Sequence, residues 1–208
     1  MYKLGSGLWS GKYSSIAENT LDSEFTGISP AMFKNVVGKN HPDFSTKQQQ
    51  DAFDFYLHLV TLFERNSRNQ INPMDVLTLN LEERVECMAS KKVKYTHREE
   101  FCLPLQIPLE KATNLEEVKE YLEKKASAEA AGNKLEKETV RHKVPLQECL
   151  ANFFASEVIE HFYSSAINGQ TTAKKITRLA NMPDYLMMHL RKFTLGDDWV
   201  PKKLDVAV

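Results

Sequence analysis

The apolar residues change their repeat partway along the chain, and that change decides the fold class. In "TKQQQDAFDFYLHLVTLFERN", residues 46–66, Ala52, Phe55, Tyr56, Leu59 and Phe63 recur at helical spacing. Phe53, Leu57 and Val60 widen the stripe, so the spacing predicts a helix buried over more than half its girth. Asp51, Asp54 and His58 fall together on the side opposite the stripe. Ser45 or Thr46 is the expected N-cap, with Gln48 or Gln49 three residues later completing a capping box. Between residues 73 and 108 the repeat becomes two. "DVLTLNLEERVECM" and "KKVKYTHREEFCLPLQIPL" alternate through Val76, Thr78 and Asn80, then Val93 and Tyr95, then Phe101, Leu103 and Leu105. Those stretches read as antiparallel strands, with Pro104 and Pro108 at an edge or at strand ends. Helices and antiparallel strands in one chain of 208 residues give an α+β fold.

The remaining segments fill in around this change. Residues 1–29, with Gly5, Gly7, Gly11 and Gly27, read as a loop-rich start. Pro30 opens a short helix through Met32, Phe33, Val36 and Val37, closed by Gly38. Residues 112–143 read as a charged helical insertion. Asn114 and Glu117 form a capping box, Leu115, Val118 and Leu122 form a thin apolar stripe, and Gly132 ends the run. "VPLQECLANFF" at 144–154 is an amphipathic helix opened by Pro145. Beyond it Tyr185, Met187 and His189 alternate with Leu186, Met188 and Leu190, and Gly196–Asp197 signals a hairpin.

Charge and cysteine use narrow the function classes. The formal net charge is −1, which gives no footprint for nucleic acid or an anionic membrane. No apolar run approaches the roughly 18 residues of a spanning helix. Cys87, Cys102 and Cys149 are too few and too scattered for a disulfide framework. They fit a reducing compartment, the cytoplasm and with it the nucleus. Cys102 and Cys149 read as small core residues. No His-x-x-x-His or Cys-x-x-Cys pair, phosphate loop or nucleophile elbow occurs, so the residues present no catalytic dyad. The two acids at the start of the long helix stay open to two readings. The helix dipole alone favours Asp51 there. Alternatively, Asp51 and Asp54 point outward together and take a cationic ligand, such as an extended peptide bearing arginine.

Several boxes in a consistent order carry a family resemblance. "QQQDAFDFYLHL" resembles the Gln-Gln-Asp box of the ubiquitin-specific proteases, "VPLQECLANFF" their Ser-Leu-x-x-Cys-Leu helix, and "PDYLMMHLRKF" their leucine-rich box. "FSTKQQQDAFDFYLHLV", "NPMDV", "KVKYTHRE" and "DWVPKKLDV" are similar to the isopeptidase T subgroup, and the likeness runs from about residue 2 to the end.

The resemblance implies a papain-like cysteine protease fold with thumb, palm and fingers, incomplete in this chain. Residues 30–72 would be thumb helices. Residues 73–111 and 144–208 would be finger and palm strands, with 112–143 inserted at the fingers. It implies a thiol-dependent deubiquitinase whose partners are ubiquitin and polyubiquitin, unanchored chains in particular. Gln49, Asp51 and Asp54 match the positions that hold the backbone and arginines of ubiquitin's C-terminal tail, with Phe53 and Asp54 standing where the family often has Gln and Glu. Two Cys-x-x-Cys pairs hold zinc in many members. The matching positions here are Cys87, Ser90, Ser164 and Ile167, and one thiolate cannot close a tetrahedral zinc site. No metal and no cofactor is therefore expected. The family's nucleophile lies in an Asn-x-x-Cys-Tyr box and its general base in a Gly-His-Tyr box. Neither box occurs between Met1 and Val208, so no catalytic residue is assigned and the chain is expected to be a piece of a longer protein, inactive alone. The alternative is a catalytically inactive ubiquitin-binding or scaffold module.

Overall fold

A computed structural model describes residues 2–11, 28–68, 70–131, 139–195 and 199–208. The chain forms two compact units, Met1–Pro73 and Met74–Val208. The first is helical. It holds α1 (Tyr2–Trp9), α2 (Ala31–Val37) and α3 (Ala52–Asn66). Helix α1 corrects the loop expected at the start of the chain: residues 2–9 are helical although Gly5 and Gly7 lie among them. Each glycine costs about 1 kcal/mol against alanine in a helix interior.

Helix α3 begins later than its pattern implied. Asp51, not Ser45 or Thr46, is the N-cap, and its carboxylate accepts the amides of Phe53 and Asp54. The helix is also less buried than expected. Val60 is buried, Phe55, Tyr56, Leu59 and Phe63 are half-buried, and Ala52 and Leu57 are exposed. Gly38 closes α2 as anticipated, but in a right-handed conformation, φ −81°. What requires glycine there is space. A Cβ would overlap the carbonyl oxygen of Phe44.

The second unit is built on a four-stranded antiparallel sheet in the order β2-β1-β6-β5. Its strands are β1 (Leu79–Cys87), β2 (Val93–Glu100), β5 (Glu157–Ser164) and β6 (Gly169–Leu179). Strand β1 starts at Leu79, because Asp75–Leu77 is a turn of 3-10 helix that removes Val76 from the expected strand. Strand β3 (Leu103–Gln106) pairs in parallel with β7 (Met188–Arg191). Tyr185 and Met187 therefore precede the strand they were expected to open. β4 (His142–Lys143) pairs with β10 (Val206–Ala207), and β8 (Phe193–Leu195) with β9 (Pro201–Lys203). The turn signal at Gly196–Asp197 lies outside the described residues, as does Gly132.

The core gathers Leu79 and Leu81 of β1, Leu103 and Leu105 of β3, Ile107, Val144, Val206, and Cys149 of α5 (Leu146–Phe154). Each fully buried leucine contributes about 1.5–3 kcal/mol relative to exposure. Proline at position 104 is tolerated because β3 has a single partner, so no second ladder needs its missing N–H.

The charged helix is α4 (Leu115–Ala130), shorter than the 112–143 segment expected. Asn114 precedes it without capping it. Instead its amide donates to Arg141 O and accepts from Lys143 N, both at 2.8 Å. A helix cap is local, and this residue is used to staple a distant strand to the helix start. Val118 is buried, while Leu115 and Leu122 are exposed.

Candidate functional site

The approach to α3 is shaped by a compact turn. His41 Nδ1 accepts the amides of Asp43 and Phe44 at 3.2 and 3.3 Å, and its ring stacks on Phe44 with centroids 4.2 Å apart. His58 reaches back from α3. Its Nε2 lies 2.8 Å from Val37 O, and its ring packs edge-on against His41. His58 is thus a packing residue, which corrects its expected place on an outward acidic face. Phe44 also meets Phe55 edge-on.

After the turn the chain bends through residues 46–48 on its way to the helix, and three polar side chains hold it. Thr46 Oγ1 donates to Asp43 O at 2.7 Å and accepts the Gln48 amide at 3.3 Å. Lys34 of α2 donates from Nζ to Thr46 O at 2.7 Å. Gln50 Nε2 lies 3.4 Å from both Asp43 O and Thr46 Oγ1. With this segment pinned, Gln49, Asp51 and Asp54 are all exposed. Both amide bonds to Asp51 fall on Oδ1, at 2.6 and 3.2 Å. A carboxylate has roughly four lone-pair sites, so Oδ2 retains acceptor capacity. The cap reading of Asp51 thus holds through one oxygen, and the cap leaves the second oxygen of this exposed side chain unused. An arginine could bond the Asp54 carboxylate through two parallel N–H groups and reach Asp51 through Oδ2.

A groove of about 280 Å3 lies beside this edge, lined by Phe44, Phe55, Gln48, Gln50 and Asp51 among others. Lys34, Thr46 and Gln50 were missed by sequence reasoning. The Thr46-x-x-x-Gln50 spacing was visible, but Lys34 reaches its partner only after α2 and the turn have folded.

The positions matched to a zinc site also converge. Cys87 ends β1, and the Ser90 amide donates to its Sγ at 3.4 Å in the β1–β2 turn. Ser164 ends β5, and its hydroxyl and that of Ser90 also bond the thiol. Cys87 and Ser164 are both buried. Hydrogen bonds from Ser164, Ser90 and the Ser90 amide outweigh burial and lower the Cys87 thiol from 9.0 to about 7. Ile167 belongs to the same turn through its amide, which donates to Ser164 O at 3.3 Å. Among the described residues no group of three His, Cys, Asp or Glu could hold a metal ion.

The other thiols behave differently. Burial raises Cys149 in α5, and burial with Glu100 nearby raises Cys102. Cys102 lies between β2 and β3, not inside a strand. Both are buried, and all three cysteines are free.

Comparison with known proteins supplies the context for these geometries. Residues 4–208 match the family model for ubiquitin carboxyl-terminal hydrolase. Ubiquitin carboxyl-terminal hydrolase 5 of Mus musculus is 46% identical over 214 residues, covering 99% of this chain and 25% of the relative. Hydrolase 14 of Arabidopsis thaliana is 47% identical over 99% of this chain and 27% of the relative. Hydrolase 13 of Homo sapiens is 43% identical over 100% of this chain and 25% of the relative. The chain therefore spans about a quarter of the length of these relatives. The solved structure of the SAGA Ubp8/Sgf11/Sus1/Sgf73 DUB module bound to ubiquitin aldehyde superposes with a TM-score of 0.60 at 17% identity. That match covers 90% of this chain and 37% of the other. It shows a shared fold of the ubiquitin-specific protease type. The matches to hydrolases 5 and 13 fit the isopeptidase T subgroup.

Proposed function

The chain belongs to the ubiquitin carboxyl-terminal hydrolase family, and on that premise we propose that it is the ubiquitin-holding part of a thiol-dependent deubiquitinase. The observation that carries this reading is the exposed edge of Gln49, Asp51 and Asp54 at the start of α3, with Asp51 Oδ2 left available. In this reading Asp51 and Asp54 bind arginines of the ubiquitin tail, and the Gln49 amide pairs with the tail's backbone. The substrate is an isopeptide-linked ubiquitin chain, unanchored chains in particular, as the isopeptidase T likeness implies.

The reaction is attack of a thiolate on the isopeptide carbonyl, with a histidine as base. This chain contributes binding and alignment to that reaction, not the nucleophile. Cys102 and Cys149 are buried with raised thiols, and Cys87 is buried with serine hydroxyls for partners. Three free thiols suit a reducing cytoplasm or nucleus. An inactive ubiquitin-binding or scaffold module is the second reading.

Two measurements test the proposal. Alone, the chain leaves a ubiquitin C-terminal fluorogenic substrate uncleaved, and turnover by the pure chain would contradict this. In the complete protein, Asp51→Asn lowers kcat/KM for that substrate by about 1–3 kcal/mol, the range for a charge-assisted bond. An unchanged kcat/KM removes Asp51 from tail binding. A complete protein that binds ubiquitin without turnover selects the second reading.

A further inference from the structure

The sheet face that carries Glu83 and Lys175 floors a cavity of about 490 Å3. Its walls come from the end of α5 with Ser156 on one side, and from Gln106 of β3 and Arg191 of β7 on the other. The site described above does not use it. Three cations line this space, Arg98, Lys175 and Arg191, against two carboxylates, Glu83 and Glu157.

The cations are incompletely neutralised. Glu83 is shared between Lys175 Nζ at 3.3 Å and Arg98 Nη2 at 3.7 Å, and the second separation is too long for a hydrogen bond. Arg98 directs its Nε to Glu100 at 2.9 Å. Arg191 forms no ion pair with any carboxylate among the described residues, and it is exposed on the cavity wall. Glu157 stands opposite Lys175 in the strand register, where its charge offsets part of the positive field. With Glu100 on Arg98 the three cations meet three carboxylates, so the feature that stands out is Arg191, the one lining cation without an ion pair among the described residues. Asn152, Ser156 and Gln106 add neutral donors on the same walls.

We propose that this cavity is an anion-binding site for a small ligand with several carboxylate or phosphate groups. Arg191 and Lys175 are its principal contacts, and Glu157 limits its affinity. The volume suits a small metabolite, and guanidinium groups match the oxygens of both anion classes. The inference stands apart from the tail reading and from catalysis.

Isothermal titration of the intact protein with pyrophosphate, and separately with citrate, tests it. The expected result is saturable binding that weakens at least about tenfold in Arg191→Ala, since a charge-assisted contact is lost. Glu157→Gln strengthens binding a few-fold. Lys203→Ala, an exposed change in β9 away from the lining, leaves binding unchanged. No saturable binding of either probe overturns the proposal. So does an equal loss in Lys203→Ala, or a Glu157→Gln protein that binds more weakly. Melting curves of Arg191→Ala and Glu157→Gln confirm folding, and their opposite signs separate a site effect from a folding defect. Ubiquitin added to the saturated protein identifies the source of the anion. Joint binding of ubiquitin and pyrophosphate supports a site for a free small anion, and displacement of pyrophosphate by ubiquitin overturns it, because the cavity then belongs to the protein-binding surface.

Discussion

The start of α3 and the hairpin tips around Cys87 both gather polar side chains, and they use them in opposite ways. At α3 the supporting work falls to Lys34, Thr46 and Gln50, and Asp51 contributes one oxygen. Asp54, Gln49 and the second oxygen of Asp51 stay available to solvent. At the tips Cys87, Ser90 and Ser164 are turned onto one another, and Cys87 and Ser164 are each only 4% exposed. One site offers unused acceptors. The other has closed on itself. The capacity to take a ligand follows from hydrogen-bonding valence left over after folding, not from residue type.

The largest effect expected comes from opening the closed site. Ser90→Cys, Ser164→Cys and Ile167→Cys together give the tips four thiols on turns already in register. That variant should bind zinc one-to-one, about 8 kcal/mol at micromolar affinity, measured by metal analysis and competition with a chelator. A variant that folds and takes up no zinc shows that the tips do not converge as described.

Removing the support at α3 ranks next. Gly38→Ala drives a Cβ against the Phe44 carbonyl and displaces the turn that delivers Gln49. Thermal denaturation should show a loss of about 1–3 kcal/mol, typical of overpacking. No change in melting would mean that the turn gives way freely.

Asp51 separates the two roles of one side chain. Asp51→Ala loses the cap and should cost about 1 kcal/mol of stability. Asp51→Asn keeps a capping oxygen and should melt as the parent does, while still losing ubiquitin affinity. Equal stability loss in both variants would show that the charge, not the cap, holds the helix start.

The smallest effect is a pH dependence. Cys87 has a folded value of about 7 against 9.0 unfolded. The stability it contributes is fully present above pH 9.0 and is lost as pH falls through about 7. Relative to Cys87→Ser, the parent should therefore gain melting temperature between pH 7 and 9. A flat difference across that window would contradict a hydrogen-bonded thiolate.

Much of the fold was legible because burial sets a period. Phe55, Leu59 and Phe63 marked α3, Leu79 and Leu81 lie in the core of the sheet, and "PLQECLANFF" announced α5. What escaped was set by contacts distant in sequence. Thr46 resembled a cap, but Lys34 and Asp43 hold it in the bend that follows the turn, so the helix waits until Ala52. Asn114 also resembled a cap, and its amide reaches 27 and 29 residues away. His58 shared a helix face with the acids, yet Val37, His41 and Phe44 draw it into packing. The positions Gln49, Asp51 and Asp54 were read from the family boxes. Which oxygen of Asp51 stays available could not be, because it depends on the cap geometry.

A double-mutant cycle in the complete protein tests the tail contact most directly. One arm carries Asp51→Asn or Asp54→Asn, and the other a ubiquitin whose tail arginines are neutralised. The account predicts a coupling of about 1–3 kcal/mol for at least one acid–arginine pair. Strict additivity for both acids, within about 0.3 kcal/mol, would contradict it.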